Sequence, residues 1–188
     1  MILGCGLIDD LRKAVTADFK KVGSCIFVVG RTKDEMGMSL LYRKFGGEKG
    51  VVPGVDIDQL KRCMDELLKA MEEGLVLSCH DCSDGGIAVA VAEMCISGHI
   101  GAEIDLSAID LSDLRRKLYS ESNTRWIVEV DGMDVTRFTE IMGGDATLLG
   151  ITKGDCLKIK DNATVIPVEE MRAAWNDPIW KIMGGATE

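Results

Sequence analysis

The sequence predicts an α/β (α+β) fold, a mixed β-sheet packed with helices, for its 188 residues. Three observations carry that expectation. SCIFVVG (Ser24–Gly30) and LVLSCHD (Leu75–Asp81) are short, nearly continuous apolar runs, the pattern of strands buried on both faces. Elsewhere the apolar residues switch to the i, i+3, i+4, i+7 spacing of an amphipathic helix. Strand-like and helix-like segments follow one another in turn, which places helices against a sheet.

The opening as far as Val22 stays ambiguous, because Leu7, Leu11, Val15, Phe19 and Val22 suit a helix while Gly6, the acidic pair and Gly23 interrupt it. Ser24–Gly30 is expected as a central strand. Gly46, Gly47, Gly50, Pro53 and Gly54 then crowd a segment expected as a surface loop. From Asp58 to Glu73 the positions Leu60, Cys63, Met64, Leu67, Leu68 and Met71 give the clearest helix, with Asp56 or Asp58 as cap and Gly74 as stop. Leu75–Asp81 reads as a strand, joined by the short turn CSDGG to a small-residue helix over Gly85–Ser97. Thr124–Val130 is a third strand, followed by a helix from about Asp134 to Met142. Short strands are expected over Thr147–Lys153 and Leu157–Lys160, then a helix around Val168–Trp175 and a C-terminal tail over 176–188. One domain, 1–188, is expected.

Composition narrows the partners. With 22 basic and 31 acidic side chains the formal charge is −9, which repels polyphosphate backbones, so no nucleic-acid partner is expected. A phosphate ligand would have to be held by backbone amides, a helix amino terminus or a bridging divalent cation. The seven cysteines are unevenly spaced and form no secreted disulfide framework, so a cytoplasmic location is expected. No window approaches ~18 uninterrupted apolar residues, and no membrane partner is expected.

The densest polar signal is Ser78-Cys79-His80-Asp81-Cys82-Ser83-Asp84-Gly85-Gly86. A strand here delivers polar groups into a Gly-rich turn that opens a helix; its amides could meet a phosphate and its carboxylates a Mg²⁺ ion. The plainer alternative is an ordinary turn in which Ser83 or Asp84 merely caps the helix. Cys79 and Cys82 also make a C-x-x-C with His80 between them, but zinc needs about four ligands and no second such pair exists. They are expected to be packing residues, and His80 a local hydrogen-bonding neighbour of Asp81. A second cluster, Ser120-Glu121-Ser122-Asn123-Thr124-Arg125, precedes the third strand. There Glu121 could bind a metal, Asn123 orient a ligand and Arg125 clamp an anion; the alternative is a polar turn with a surface Arg–Glu pair.

These residues resemble a known family. SCHDCSDGGIAVAVAEM, GAEIDL, Y-S-E-S-N-T-R-W, the opening GLIDDLRKAVTADFKK and LYRKFGGEKGVVPGVD look like the last domain of phosphoribosylformylglycinamidine synthase, over nearly the whole chain. H-D-x-S-D-G-G-x-x-V-A-x-A-E-M is the specific part. The resemblance implies an aminoimidazole ribonucleotide synthetase C-terminal-domain-like fold within a larger enzyme of alternating domains. It further implies an ATP-dependent ligase of purine biosynthesis. Such an enzyme phosphorylates the amide oxygen of formylglycinamide ribonucleotide, and glutamine-derived ammonia then displaces the phosphate.

The implied cofactors are ATP and Mg²⁺. The implied partners are the preceding domains, a glutamine amidotransferase subunit, a small bridging subunit and the small-molecule substrate. By motif match Asp81 would be a metal or nucleotide ligand. Ser83, Asp84 and Ser120 would contact nucleotide, Gly85 and Gly86 would give close backbone approach, Glu121 would bind metal, and Asn123 and Arg125 would lie nearer the substrate. No catalytic residue is assigned, since the family's catalytic His, ATP-binding Lys and most metal carboxylates belong to earlier domains. Met1 is expected to replace an upstream linker, leaving the isolated chain inactive. The alternatives are a stand-alone nucleotide-binding or regulatory module and a purely structural piece.

Overall fold

The computed structural model describes residues 3, 5–47, 50–160 and 164–184. Its strands are β1 (Cys25–Val29), β2 (Val76–Asp81), β3 (Ala102–Ile104), β4 (Trp126–Val130), β5 (Ala146–Thr152), β6 (Cys156–Ile159) and β7 (Thr164–Pro167). Its helices are α1 (Leu40–Phe45), α2 (Ile57–Glu72), α3 (Gly86–Gly98), α4 (Leu114–Tyr119), α5 (Val135–Met142) and α6 (Val168–Ile182). The strands form one sheet in the order β2-β4-β1-β5-β3-β6-β7. β3 and β6 pair parallel and the other pairs are antiparallel. This is the expected mixed sheet packed with helices.

β1 shows why the fold forms. Ile26, Phe27, Val28 and Val29 are all buried, and alternate residues point to opposite sheet faces. Ile26 and Val28 join Ile87, Ala90, Val91 and Met94 of α3 in one core. Phe27 and Val29 join Cys63, Leu67 and Ala70 of α2 and Phe138 and Met142 of α5 in the other. The Phe27 and Phe138 rings meet with centroids 5.1 Å apart. Burying each such side chain contributes about 1.5–3 kcal/mol, so a strand apolar on both faces must be central.

The helix boundaries follow local chemistry. Asp56 caps α2 by accepting the Gln59 amide at 3.0 Å, and Gly74 takes a φ of +74° just past its end. Among its described residues the ambiguous opening forms only a 3-10 turn at Leu11–Lys13 before crossing the sheet edge, where the Cys79 amide donates to Thr16 O. α1, β3, α4 and β7 went unanticipated; each has six residues or fewer, too short for periodicity to register. α6 does not end near Trp175. It passes through Pro178, and residues 176–182 of the expected tail are helical while 185–188 lie outside the described residues. Pro178 leaves the Ala174 carbonyl without its helical donor, but Ala174 is exposed and water can serve it.

The C-x-x-C is split by the sheet: Cys79 packs with the α2–α5 core and Cys82 with the α3 core. Burial pushes the Cys79 thiol up to about 12 and the Cys82 thiol up to about 11, so the thiolate that metals and oxidants require is disfavoured at both. Alkylation of the folded chain at pH 8 should therefore modify exposed Cys5 quickly and leave Cys79 and Cys82 unmodified until denaturant is added. Rapid native labelling of either would contradict their packing role.

Glu129 of β4 is fully buried, yet its carboxylate is satisfied. Oε2 accepts the Lys20 amide at 2.8 Å and the Ser78 hydroxyl at 2.8 Å, and Oε1 accepts the Lys21 amide at 3.0 Å. It thereby ties the opening segment to the sheet. Glu129→Gln replaces one acceptor with an NH₂ group facing donors and should cost about 2 kcal/mol in urea unfolding. A loss below about 0.5 kcal/mol would show that the segment is held by something else.

Candidate functional site

The sheet register brings both polar clusters to one place. Trp126 of β4 is the partner of Val29 at the end of β1 and of Asp81 at the end of β2. The loops that leave β1 and β2 and the loop that enters β4 therefore meet at one end of the sheet. The Cys82 amide extends the pairing by donating to Arg125 O at 2.9 Å.

The CSDGG turn is more than a cap. Gly85, the N-cap of α3, has no side chain to offer, and neither Ser83 nor Asp84 takes its place. Ser83 Oγ instead donates to Asp81 Oδ2 at 3.0 Å, and Asp84 points outward, 3.6 Å from Arg43. Gly85 and Gly86 have φ of +81° and +63°, and a Cβ on Gly86 would stand 2.5 Å from Ser120 O and 2.7 Å from Leu118 O. Only glycine permits this approach of the turn to the second loop. Asp81 is exposed; its Oδ1 lies 3.3 Å from His80 Nδ1, while His80 Nε2 meets Glu93 Oε2 at 2.7 Å. His80 is thus the local neighbour of Asp81 that its position suggested.

The second loop is tied down from within. Ser120 Oγ donates to Lys33 O at 2.5 Å and accepts the Glu35 amide at 3.1 Å; Ser122 Oγ accepts the Lys33 amide at 3.0 Å. Arg125 is only 2% exposed. Its guanidinium donates to Ser120 O at 2.5 Å, Ser122 O at 2.9 Å and Thr32 Oγ1 at 3.1 Å. Burial pulls its pKa below the ordinary arginine value, while Cys82, Glu35 and Glu121 act in the opposite direction. Arg125 is thus enclosed and clamps the loop's own carbonyls, with one bond from each guanidinium nitrogen. The buried hydroxyl of Ser120 is likewise committed to the protein, whereas Asn123 is exposed.

Glu121 Oε1 accepts the amides of Leu40 and Gly85, each at 2.8 Å. Among the described residues no group of three or more His, Cys, Asp or Glu side chains is arranged to hold a metal ion. Mg²⁺ at Asp81 would therefore draw most of its octahedral shell from phosphate oxygens, water or another domain. The exposed carboxylate of Asp81 and hydroxyl of Ser83 fit one side of a Mg-nucleotide site, while Gly85 and Gly86 are buried beneath them with their amides bonded to Glu121 Oε1 and Ser83 O. A groove of 920 Å³ lined by Ala88, Ala92, Leu114 and Trp175 lies beside α3, α4 and α6 and does not include the turn. The turn is an open surface.

Sequence reasoning missed the loop after β1. Gly30, with φ of +89°, passes so close to Thr124 that a Cβ would stand 1.9 Å from Thr124 O. Glu35 is buried; it accepts the Gly54 amide at Oε1 and the Glu121 amide at its backbone carbonyl. The available signal was the polar run Arg31-Thr32-Lys33-Asp34-Glu35 directly after a buried strand.

Comparison with known proteins agrees with this architecture. Residues 11–160 match the family described as AIR synthase related protein, C-terminal domain. The phosphoribosylformylglycinamidine synthase subunit PurL of Thermococcus sibiricus is 35% identical over 182 residues, covering 94% of this chain and 25% of that protein. T. maritima PurL complexed with FGAR superposes with a TM-score of 0.74 at 20% identity, over 86% of this chain and 30% of the other. T. maritima PurL complexed with ATP gives 0.70 at 20% identity, over 86% and 28%. The chain spans about a quarter of the length of the curated relatives it matches. With 150 of its residues (11–160) matched and the same fold in both solved structures, the chain belongs to the family of AIR synthase related protein C-terminal domains.

Proposed function

We propose that this chain supplies one wall of a Mg-nucleotide cleft in an ATP-dependent carbon–nitrogen ligase of the phosphoribosylformylglycinamidine synthase type. The observation that carries the reading is the CSDGG turn: exposed Asp81 and Ser83, joined by a 3.0 Å hydrogen bond, stand on a buried glycine pair whose positive φ and close packing fix the turn against the loop before β4. Support comes from the similarity to phosphoribosylformylglycinamidine synthase subunits and to solved PurL structures bound to ATP and to FGAR.

In this reading Asp81 faces the metal, Ser83 and Asp84 form the rim and the Gly85–Gly86 backbone approaches the phosphates. Exposed Asn123 lies toward the substrate, and Ser120 and Arg125 hold the wall from behind. Bound Mg²⁺ would supply screening of phosphate charge. The preceding domains would complete the cleft, with glutamine amidotransferase and bridging subunits delivering ammonia, in the cytoplasm. Among the described residues no helix is long and apolar enough to cross a membrane.

The reading is tested by calorimetric titration with Mg·ATP of the parent, Asp81→Asn and Cys82→Ser, with circular dichroism confirming the fold. Removing the carboxylate forfeits a charge-assisted contact of about 1.5–3 kcal/mol, so Asp81→Asn should bind roughly ten- to hundred-fold more weakly. Cys82→Ser leaves the charge unchanged and should bind much like the parent. Parent-like binding by Asp81→Asn would remove the turn from the nucleotide site.

A further inference from the structure

Resting on the Mg-nucleotide reading, we propose that Glu121 is a positioning residue, whose carboxylate locks the phosphate-facing turn and α1 to the loop before β4 instead of coordinating the metal. One oxygen accepts two amides, from Leu40 and Gly85, each at 2.8 Å. Those donors lie on two segments otherwise joined by the exposed Arg43–Asp84 pair at 3.6 Å: Leu40 is the first residue of α1, and Gly85 precedes α3 without a side chain to cap it. Both are helix-start amides lacking an intrahelical acceptor.

The base from which Glu121 projects is fixed on every side. Its own amide donates to Glu35 O at 3.3 Å, and the neighbouring hydroxyls of Ser120 and Ser122 are bound to Lys33. Arg125 gathers the carbonyls of Ser120 and Ser122. Both amides lie on the same oxygen, Oε1, and releasing the donor of buried Gly85 would be costly, so the carboxylate is fixed in place by the protein itself. Among the described residues no group of three or more His, Cys, Asp or Glu side chains surrounds it to hold a metal ion.

The distinguishing variants are Glu121→Gln, which keeps an acceptor oxygen without the charge, and Glu121→Ala, which keeps neither. Amide hydrogen exchange followed by NMR should show Leu40 and Gly85 exchanging at least ten-fold faster in Glu121→Ala and near the parent rate in Glu121→Gln. The core amides of Ile127 and Val128 should stay unchanged in both, which separates a local lock from general destabilisation. In Mg·ATP titrations Glu121→Gln should match the parent and Glu121→Ala should bind at least ten-fold more weakly. Equal weakening in both variants, with exchange at Leu40 and Gly85 intact, would make Glu121 a metal ligand and overturn the inference. Unchanged exchange in Glu121→Ala would overturn it as well. If the parent itself does not bind Mg·ATP, the nucleotide reading fails while the exchange data still decide whether Glu121 is the lock.

Discussion

A guanidinium enclosed in a protein must spend its donors on the protein, and Arg125 does so at the point where three loops cross. It sits at the entry to β4, 2% exposed, and collects Ser120 O, Ser122 O and Thr32 Oγ1. Its planar fork of donors makes several contacts at once, which a lysine ammonium on a flexible stem cannot reproduce. Burying the charge is expensive unless those contacts form. The loop before β4 is therefore held close to the loop after β1, and the positions of both follow from one side chain.

The sheet sets the stage for that contact. β1 and β2 both run antiparallel to β4, so their carboxyl ends lie beside its amino end, with Trp126 opposite Val29 and Asp81. Backbone then closes the remaining space: Gly30 against Thr124, and Gly86 against Ser120 and Leu118. Thr124 itself has a φ of +63°, a conformation costing a non-glycine residue about 1–2 kcal/mol, which the surrounding contacts sustain. Asp81, Ser83, Asp84 and Asn123 are polar groups that this frame leaves toward solvent, while Ser120, Glu121 and Arg125 build it.

Much of this was legible in the sequence. Continuous apolar runs marked β1, β2 and β4, and the spacing of Cys63 and Leu67 marked α2, because burial on two faces or along one stripe leaves a periodic trace. The short elements left none; three residues of β3 cannot show a period, and α6 runs past a proline that ordinarily reads as a stop. At the site, the turn and the SESNTR loop were visible as polar clusters beside glycines. What could not be read was the direction of their side chains. A string holding Glu and Arg gives the same signal whether Arg125 faces a substrate or the protein's own carbonyls, since that depends on register with β1 and on Gly30 allowing close approach.

The central claim, that Arg125 holds the loop before β4 to the loop after β1, is tested most directly by hydrogen exchange measured by mass spectrometry on Arg125→Lys, which keeps the charge and loses the fork. The account predicts that peptides over residues 31–36 and 119–124 lose protection together, while those within β1, β2 and β4 retain it. Loss confined to 119–124, with 31–36 as protected as in the parent, would contradict it.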